Sequence, residues 1–157
     1  MAGRLIFSII LLLPLYASIK AQETASVHWL TFEQLEDSLA VNPKKVFIVF
    51  HTDWCAYCRK MDKVVFTKPV VANLLNTDYY AVRFDAESED TLTFGGRQLV
   101  NDQIGKSRNP LHQITQLLAL RDGRFVAPTL VVLDEKFRVM ERYFKYLDSK
   151  GVMAVLN

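Results

Sequence analysis

Cysteine is scarce in this 157-residue chain, with two residues, and histidine is nearly so, with three. Two cysteines exclude a scaffold stapled by several disulfides, and His28, His51 and His112 are too scattered to complete a four-ligand zinc site with them. Glycine (6) and proline (5) are also few, and there is no low-complexity tract, internal repeat or interdomain linker. Charge of one sign is missing too. The chain has 19 basic and 17 acidic residues, and residues 1–21 hold Arg4 and Lys20 but no acid, so the remainder carries 17 of each. That neutral, interspersed pattern lacks the basic footprint of a nucleic-acid or anionic-membrane binder. No apolar run approaches the roughly 20 residues of a membrane-spanning helix. What remains is half apolar, enough for one real core.

The most apolar stretch lies at the start. Arg4 precedes the run Leu5–Leu15, broken only by Ser8 and Pro14, and small and polar residues follow through Ala17, Ser18 and Lys20 to Ala21. This charged, apolar and cleavable order predicts a secretory signal over residues 1–21, cut between Ala21 and Gln22. The run is too short for the alternative, a retained anchor. With no cysteine before Cys55, a lipid-modified cysteine at the cut is not expected. Residues 22–157 then form a single exported domain, periplasmic or otherwise extracytoplasmic.

Thr31 and Gln34 have capping-box spacing, and Phe32, Leu35 and Leu39 follow at helical intervals, which predicts a helix over about residues 32–40. Val46–Phe50 is a continuous apolar, β-branched and aromatic run, the mark of a strand buried on both faces. A helical stretch from Cys55 to about Asn76, restarted at Pro69, leads to a strand over Tyr79–Phe84. This is a parallel βαβ unit. Asp85–Arg108 is polar, carries Gly95, Gly96 and Gly105, and shows no period. A loop of that length is often functional, and Glu87–Arg108 is expected to cover or flank the site. Asn109 and Pro110 then predict a helix start, with Leu111, Ile114, Leu117 and Leu118 on its apolar face. Asp122-Gly123 turns the chain, Thr129–Leu133 and Phe137–Phe144 make a hairpin, and Asp148 caps a last helix. The order α, β, α, β, α, β, β, α predicts an α/β fold, a mixed central sheet with helices on both faces.

Trp54-Cys55-Ala56-Tyr57-Cys58 sits where the buried strand hands over to a helix. A bridge between cysteines three apart closes a very short loop and removes little entropy from the unfolded chain, so its value is chemical. A cysteine at a helix N-terminus meets unsatisfied N–H groups and the positive end of the helix dipole, which favour thiolate. Cys55 is thus the candidate nucleophile. Cys58, one turn inside and expected to be the less exposed, is the candidate resolving thiol, with Arg59 and Lys60 adding positive charge nearby. A copper chaperone using both cysteines with Met61 or a histidine is the alternative from another class. A redox-silent binding module is a second.

With Ala127-Pro128-Thr129 before a later strand, these motifs resemble the thioredoxin superfamily. The likeness is to exported thioredoxin-like proteins and to the C-terminal domain of the bacterial transmembrane thiol:disulfide interchange protein. Phe66, Pro69-Val70-Val71 and Arg83–Glu87 are similar to that branch as well. The resemblance implies a thioredoxin-like three-layer fold. It implies catalytic Cys55 and Cys58, a cis-proline at Pro128 facing them, and a substrate platform from Trp54, Ala127, Pro128 and Thr129. Trp54 would also serve as packing. It implies protein thiol–disulfide exchange, in the reductive more than the oxidative direction. Partners are then protein disulfides or dithiols and, in an oxidising compartment, a membrane electron donor. No organic cofactor or metal is called for, because the redox group is the cysteine pair. Two departures stand out. The buried acid six residues before the first cysteine is Val49, and the usual Gly-Pro between the cysteines is Ala56-Tyr57. His51, on the Val49 face of the strand by alternation, is the candidate base in place of that acid. His112, Tyr57 and Arg97 are further candidates to face the site.

Overall fold

The computed structural model describes residues 26–157. The expected leader, residues 1–21, lies outside them. Strand β1 (Trp29–Leu30) runs into α1 (Phe32–Val41), whose N-cap Thr31 forms the capping box with Gln34. Next come β2 (Lys45–His51), α2 (Ala56–Val64), α3 (Pro69–Asp78) and β3 (Tyr79–Asp85). Pro69 occupies the first turn of α3, where its missing N–H costs nothing. A small hairpin, β4 (Leu92–Phe94) and β5 (Arg97–Leu99), precedes α4 (Gln113–Leu118). A second, β6 (Leu120–Arg121) and β7 (Arg124–Phe125), turns at Asp122-Gly123. Strands β8 (Thr129–Leu133) and β9 (Val139–Tyr143) and helix α5 (Ser149–Leu156), capped by the Asp148 carboxylate, complete the chain.

The main sheet has the order β1-β3-β2-β8-β9. β2 pairs in parallel with β3 and antiparallel with β8, so it is central and mixed-paired. Its apolar run is needed on both sides. Phe47 and Val49 join Met61, Val65, Phe66, Val71, Leu75, Val152 and Leu156 on the face of α2, α3 and α5. Val46, Ile48 and Phe50 join Phe32, Leu35 and Ile114 on the face of α1 and α4. Among the described residues no helix is long and apolar enough to cross a membrane.

The segment read as patternless is where the fold departs from the sequence reading. Its hairpin turns at Gly95 and Gly96, with φ of 62° and 68°, the left-handed pair that a tight hairpin turn requires. The hairpin docks on α1: Thr93 N–H donates to Glu33 (3.3 Å), Gly95 N–H donates to Glu36 (3.1 Å), and Phe94 meets the Phe32 ring edge-on at 5.5 Å. Three-residue strands are too short to display a period. Asn109 does not cap α4; His112 does, its imidazole accepting from Ile114 N–H. Asn109 and Pro110 are held in the preceding loop by side-chain bonds to Glu87 and Asn101, which outcompete a helix start there. Leu117, expected on the apolar face of α4, is 65% exposed, and Thr115 is buried instead.

Candidate active site

β2 delivers the chain to the sheet end, and a tight turn there hands it to α2. Cys55 N–H donates to the Thr52 carbonyl (3.1 Å), leaving Cys55 extended (φ −72°, ψ 100°) as the N-cap of α2. Its Sγ accepts the Cys58 N–H at 3.0 Å, so the sulfur takes the place of a capping oxygen. Cys55 and Cys58 form a disulfide with an S–S distance of 2.04 Å. Their expected difference in exposure is absent, since each is 3% exposed. Both values are those of the closed disulfide.

The aromatic side chains around the pair point outward. Trp54 is 59% exposed and Tyr57 60% exposed. Trp54 is therefore no packing residue. Its indole N–H donates to both carboxylate oxygens of Glu87 (3.2 and 3.1 Å). Tyr57 lies against Tyr146, ring centroids 5.8 Å apart, and the Lys60 ammonium sits 5.0 Å from the Tyr146 centroid. Arg59 donates to the Asp53 carbonyl. The two cations after the motif are thus turned toward a ring and a carbonyl rather than toward Cys55.

Across from this loop, Thr129 pairs in register with Phe50, which brings residues 126–128 to the same end of the sheet as Thr52–Cys55. The Ala127–Pro128 peptide bond is cis, Pro128 is buried and Ala127 is half-buried. Thr129 is fully buried, and its hydroxyl donates to the Val126 carbonyl at 2.6 Å. Its side chain braces the turn and offers no surface to a substrate.

Beneath the pair, Val49 is 2% exposed within the apolar cluster of the α2 face. His51 is half-buried at the strand end, in register with Asp85. Burial holds its imidazole below the ordinary value; the Arg83 guanidinium adds to this, while Asp85, Asp62 and Asp53 oppose it. Arg83 is itself tied to Asp62 of α2 at 2.7 Å. His51 is thus neutral near pH 7, free to accept a proton but a weak base.

Two other candidates lie elsewhere. His112 is fully buried, edge-on to Phe84, with Nε2 3.2 Å from both the Asp90 and Leu99 carbonyls. It joins the β4–β5 hairpin to α4. Arg97 stands exposed on β5. Met61, the thioether a copper site would draw on, is fully buried in the core. Sequence reasoning missed Tyr146, for which it had no signal, and gave Glu87 no side-chain role.

A family model described as thioredoxin-like matches residues 29–134. No curated protein matches the sequence. Among solved structures the chain is similar to the DsbH oxidoreductase, with 16% identity, a TM-score of 0.56, and 84% of this chain and 83% of that one covered. It is similar to a thioredoxin-fold protein from Helicobacter pylori, at 20% identity and a TM-score of 0.55 over 73% and 68% of the two chains. It is also similar to the C-terminal domain of DsbD from Neisseria meningitidis in its reduced form, at 14% identity and a TM-score of 0.51 over 78% and 87%. At these identities the likeness is one of fold.

Proposed function

The chain belongs to the thioredoxin-like family, and from that premise we propose that it is an exported thiol–disulfide oxidoreductase that reduces protein disulfides through Cys55 and Cys58. The observation that carries the reading is the capping of α2 by Cys55 Sγ. The N–H group and helix dipole that meet this sulfur stabilise it as a thiolate once the pair is reduced. Export rests on the leader pattern of residues 1–21, which would release a single domain over residues 22–157.

In the forward direction the Cys55 thiolate attacks one sulfur of a partner disulfide. A Cys55–partner disulfide forms, and the other partner sulfur leaves as a thiolate and takes up a proton. Cys58 then loses its proton and attacks Cys55 Sγ. The Cys55–Cys58 bond closes, the second partner thiol departs, and two electrons have passed to the partner. An external dithiol, in an oxidising compartment one supplied from the membrane, must reopen the bond for the next cycle. Trp54 and the Ala127–Pro128 turn, at the same end of the sheet, flank the pair as the substrate platform. His51, at the end of β2 that leads into the redox loop, is the candidate to take the Cys58 proton. The redox group is the cysteine pair, and no organic cofactor enters.

The reductive direction is supported by how little holds the nucleophile. Among the described residues the one hydrogen bond to Cys55 Sγ comes from Cys58 N–H. A strong oxidant stabilises its reduced form much further. Titration against a glutathione couple should therefore give a potential of about −230 to −270 mV, and a value near −120 mV would make the protein an oxidase. In the same preparation Cys58→Ser should accumulate mixed disulfides through Cys55, and Cys55→Ser very few. Equal trapping by the two variants overturns the assigned roles.

A further inference from the structure

We propose that the Asn101–Pro110 loop forms a second wall of the substrate site, locked to the redox loop by Glu87, and that it favours partner segments carrying a carboxylate beside their cysteine. The proposal rests on the oxidoreductase reading and adds to it the residues that choose among disulfides.

Glu87 is shared between two segments. Its Oε1 accepts both the Trp54 indole N–H (3.2 Å) and the Asn109 amide (3.1 Å). The side chain directly before the nucleophile and the far end of the loop thus meet on one oxygen. Glu87 is held in turn: its N–H donates to Asp85 Oδ1 at 3.0 Å, and its carbonyl accepts from Asn101 Nδ2 at 3.3 Å. Asn101, 6% exposed, uses the same amide on the Ser88 carbonyl (3.1 Å) and the Pro110 carbonyl (3.0 Å), stapling the two ends of the loop together. Gln103 binds Leu111 N–H through its side chain (3.0 Å) and Lys106 N–H through its carbonyl (2.9 Å). This much internal bonding makes a shaped surface, where a spacer would need none.

The outer side of that surface, with Val100 just before it, is open to solvent. Ile104 is 46% exposed and Val100 39% exposed. Lys106 and Arg108 are exposed, and neither forms an ion pair among the described residues. Arg108 adjoins Asn109, whose amide touches the carboxylate that fixes Trp54. The Glu87 carboxylate is met by Trp54 and Asn109, and the loop's own Asp102 by the Gln113 and Gln116 amides (3.4 and 3.0 Å). Among the described residues, Lys106 and Arg108 are thus the charges of the loop without a hydrogen-bonded partner of their own for an incoming carboxylate.

The test uses two synthetic peptides with an internal disulfide, identical except for Glu or Lys beside one cysteine. The reduced mature protein is mixed with each, and the ratio of the two rate constants is read within every variant, so a general loss of activity cancels. The native protein should reduce the Glu peptide about tenfold faster at low salt, with the ratio falling as salt rises. The double variant Lys106→Ala/Arg108→Ala, which leaves the Glu87 anchor alone, should bring the ratio close to one. Glu87→Ala should lower it as well, and Glu87→Gln, which keeps a carbonyl acceptor for Trp54 and Asn109, should restore most of it. A native protein that reduces both peptides at equal rates overturns the wall. So does a ratio that survives the double variant. A native protein that exchanges with neither peptide overturns the oxidoreductase reading itself.

Discussion

Substituting Val49 by aspartate would show whether proton removal from Cys58 limits the turnover proposed here. The stability cost follows from the surroundings. Val49 is 2% exposed, in register with Arg83 on one side and Leu130 on the other, and inside the cluster of Phe47, Met61 and Val71. Losing the buried valine costs about 2 kcal/mol, and burying even a neutral carboxyl without a partner adds about 1–3 kcal/mol. Arg83 offers little relief, because Asp62 already holds it at 2.7 Å. A total of about 3–5 kcal/mol is survivable for a domain with an ordinary margin of about 5–15 kcal/mol. Burial raises the folded-state pKa of the new carboxyl above its unfolded value. The fold therefore binds the proton more tightly, and the variant should lose stability, relative to the native protein, as pH rises from about 4.

The kinetic gain comes from a mismatch in the native site. His51 is held below 6.5 by burial, whereas a free thiol titrates near 8.5. Moving a proton from a thiol of that ordinary acidity to His51 is thus uphill by at least about two pH units, or roughly a hundredfold. A carboxylate that burial lifts past His51 narrows that gap, and on that condition Val49→Asp should speed release of a preformed Cys55 adduct about tenfold near pH 7. His51→Ala should slow it about two- to threefold. Stopped-flow release of a labelled Cys55 adduct, followed across pH, reads both. If folded Val49→Asp releases at the native rate, proton removal from Cys58 is not limiting and the reasoning fails. If His51→Ala leaves the profile unmoved, His51 only packs.

Two other expectations can be checked directly. The protein made in its own host should have an intact mass that begins at or near Gln22, and a mass retaining residues 1–21 would mean an anchor. Burial also holds His112 below 6.5, against the Leu99 and Asp90 carbonyls, so the neutral ring is the folded form; together with His51 it should make stability fall as pH drops from about 6.5. His112→Ala should cost about 3 kcal/mol, through a lost cap, the Nε2–H that two carbonyls share and the cavity left by the ring, and should flatten that acid slope in urea titrations; an unchanged slope would refute the assignment.

The parts of this fold that were legible in the sequence are those written in runs. Val46–Phe50 is apolar at every position because β2 is covered on both faces, and that pattern alone locates the centre of the sheet. Thr31 with Gln34 and Asp148 before Ser149 mark their helix starts through local hydrogen bonds that need no tertiary partner. The cysteine pair is legible for a similar reason, since the Cys58 N–H that caps on Cys55 Sγ lies three residues away in the chain.

The surroundings of the pair are built the other way, from contacts that no local pattern encodes. Trp54 is positioned by Glu87, 33 residues distant, and Glu87 by Asn101 and Asn109, 14 and 22 residues further on. Each of these is a single polar residue in a polar stretch, identical in character to its solvated neighbours until the fold brings its partner near. The same competition misled the reading of Asn109. Its amide suits a helix cap, yet Glu87 lies close enough to take it, and the helix waits for His112. A β4–β5 hairpin of three-residue strands is equally silent in sequence, because its stability comes from Phe32, Glu33 and Glu36 on a helix some 60 residues earlier. Chemistry that needs neighbours in the chain is therefore readable at Cys55 and Cys58, while selectivity, assembled from residues brought together only by the completed fold, is not.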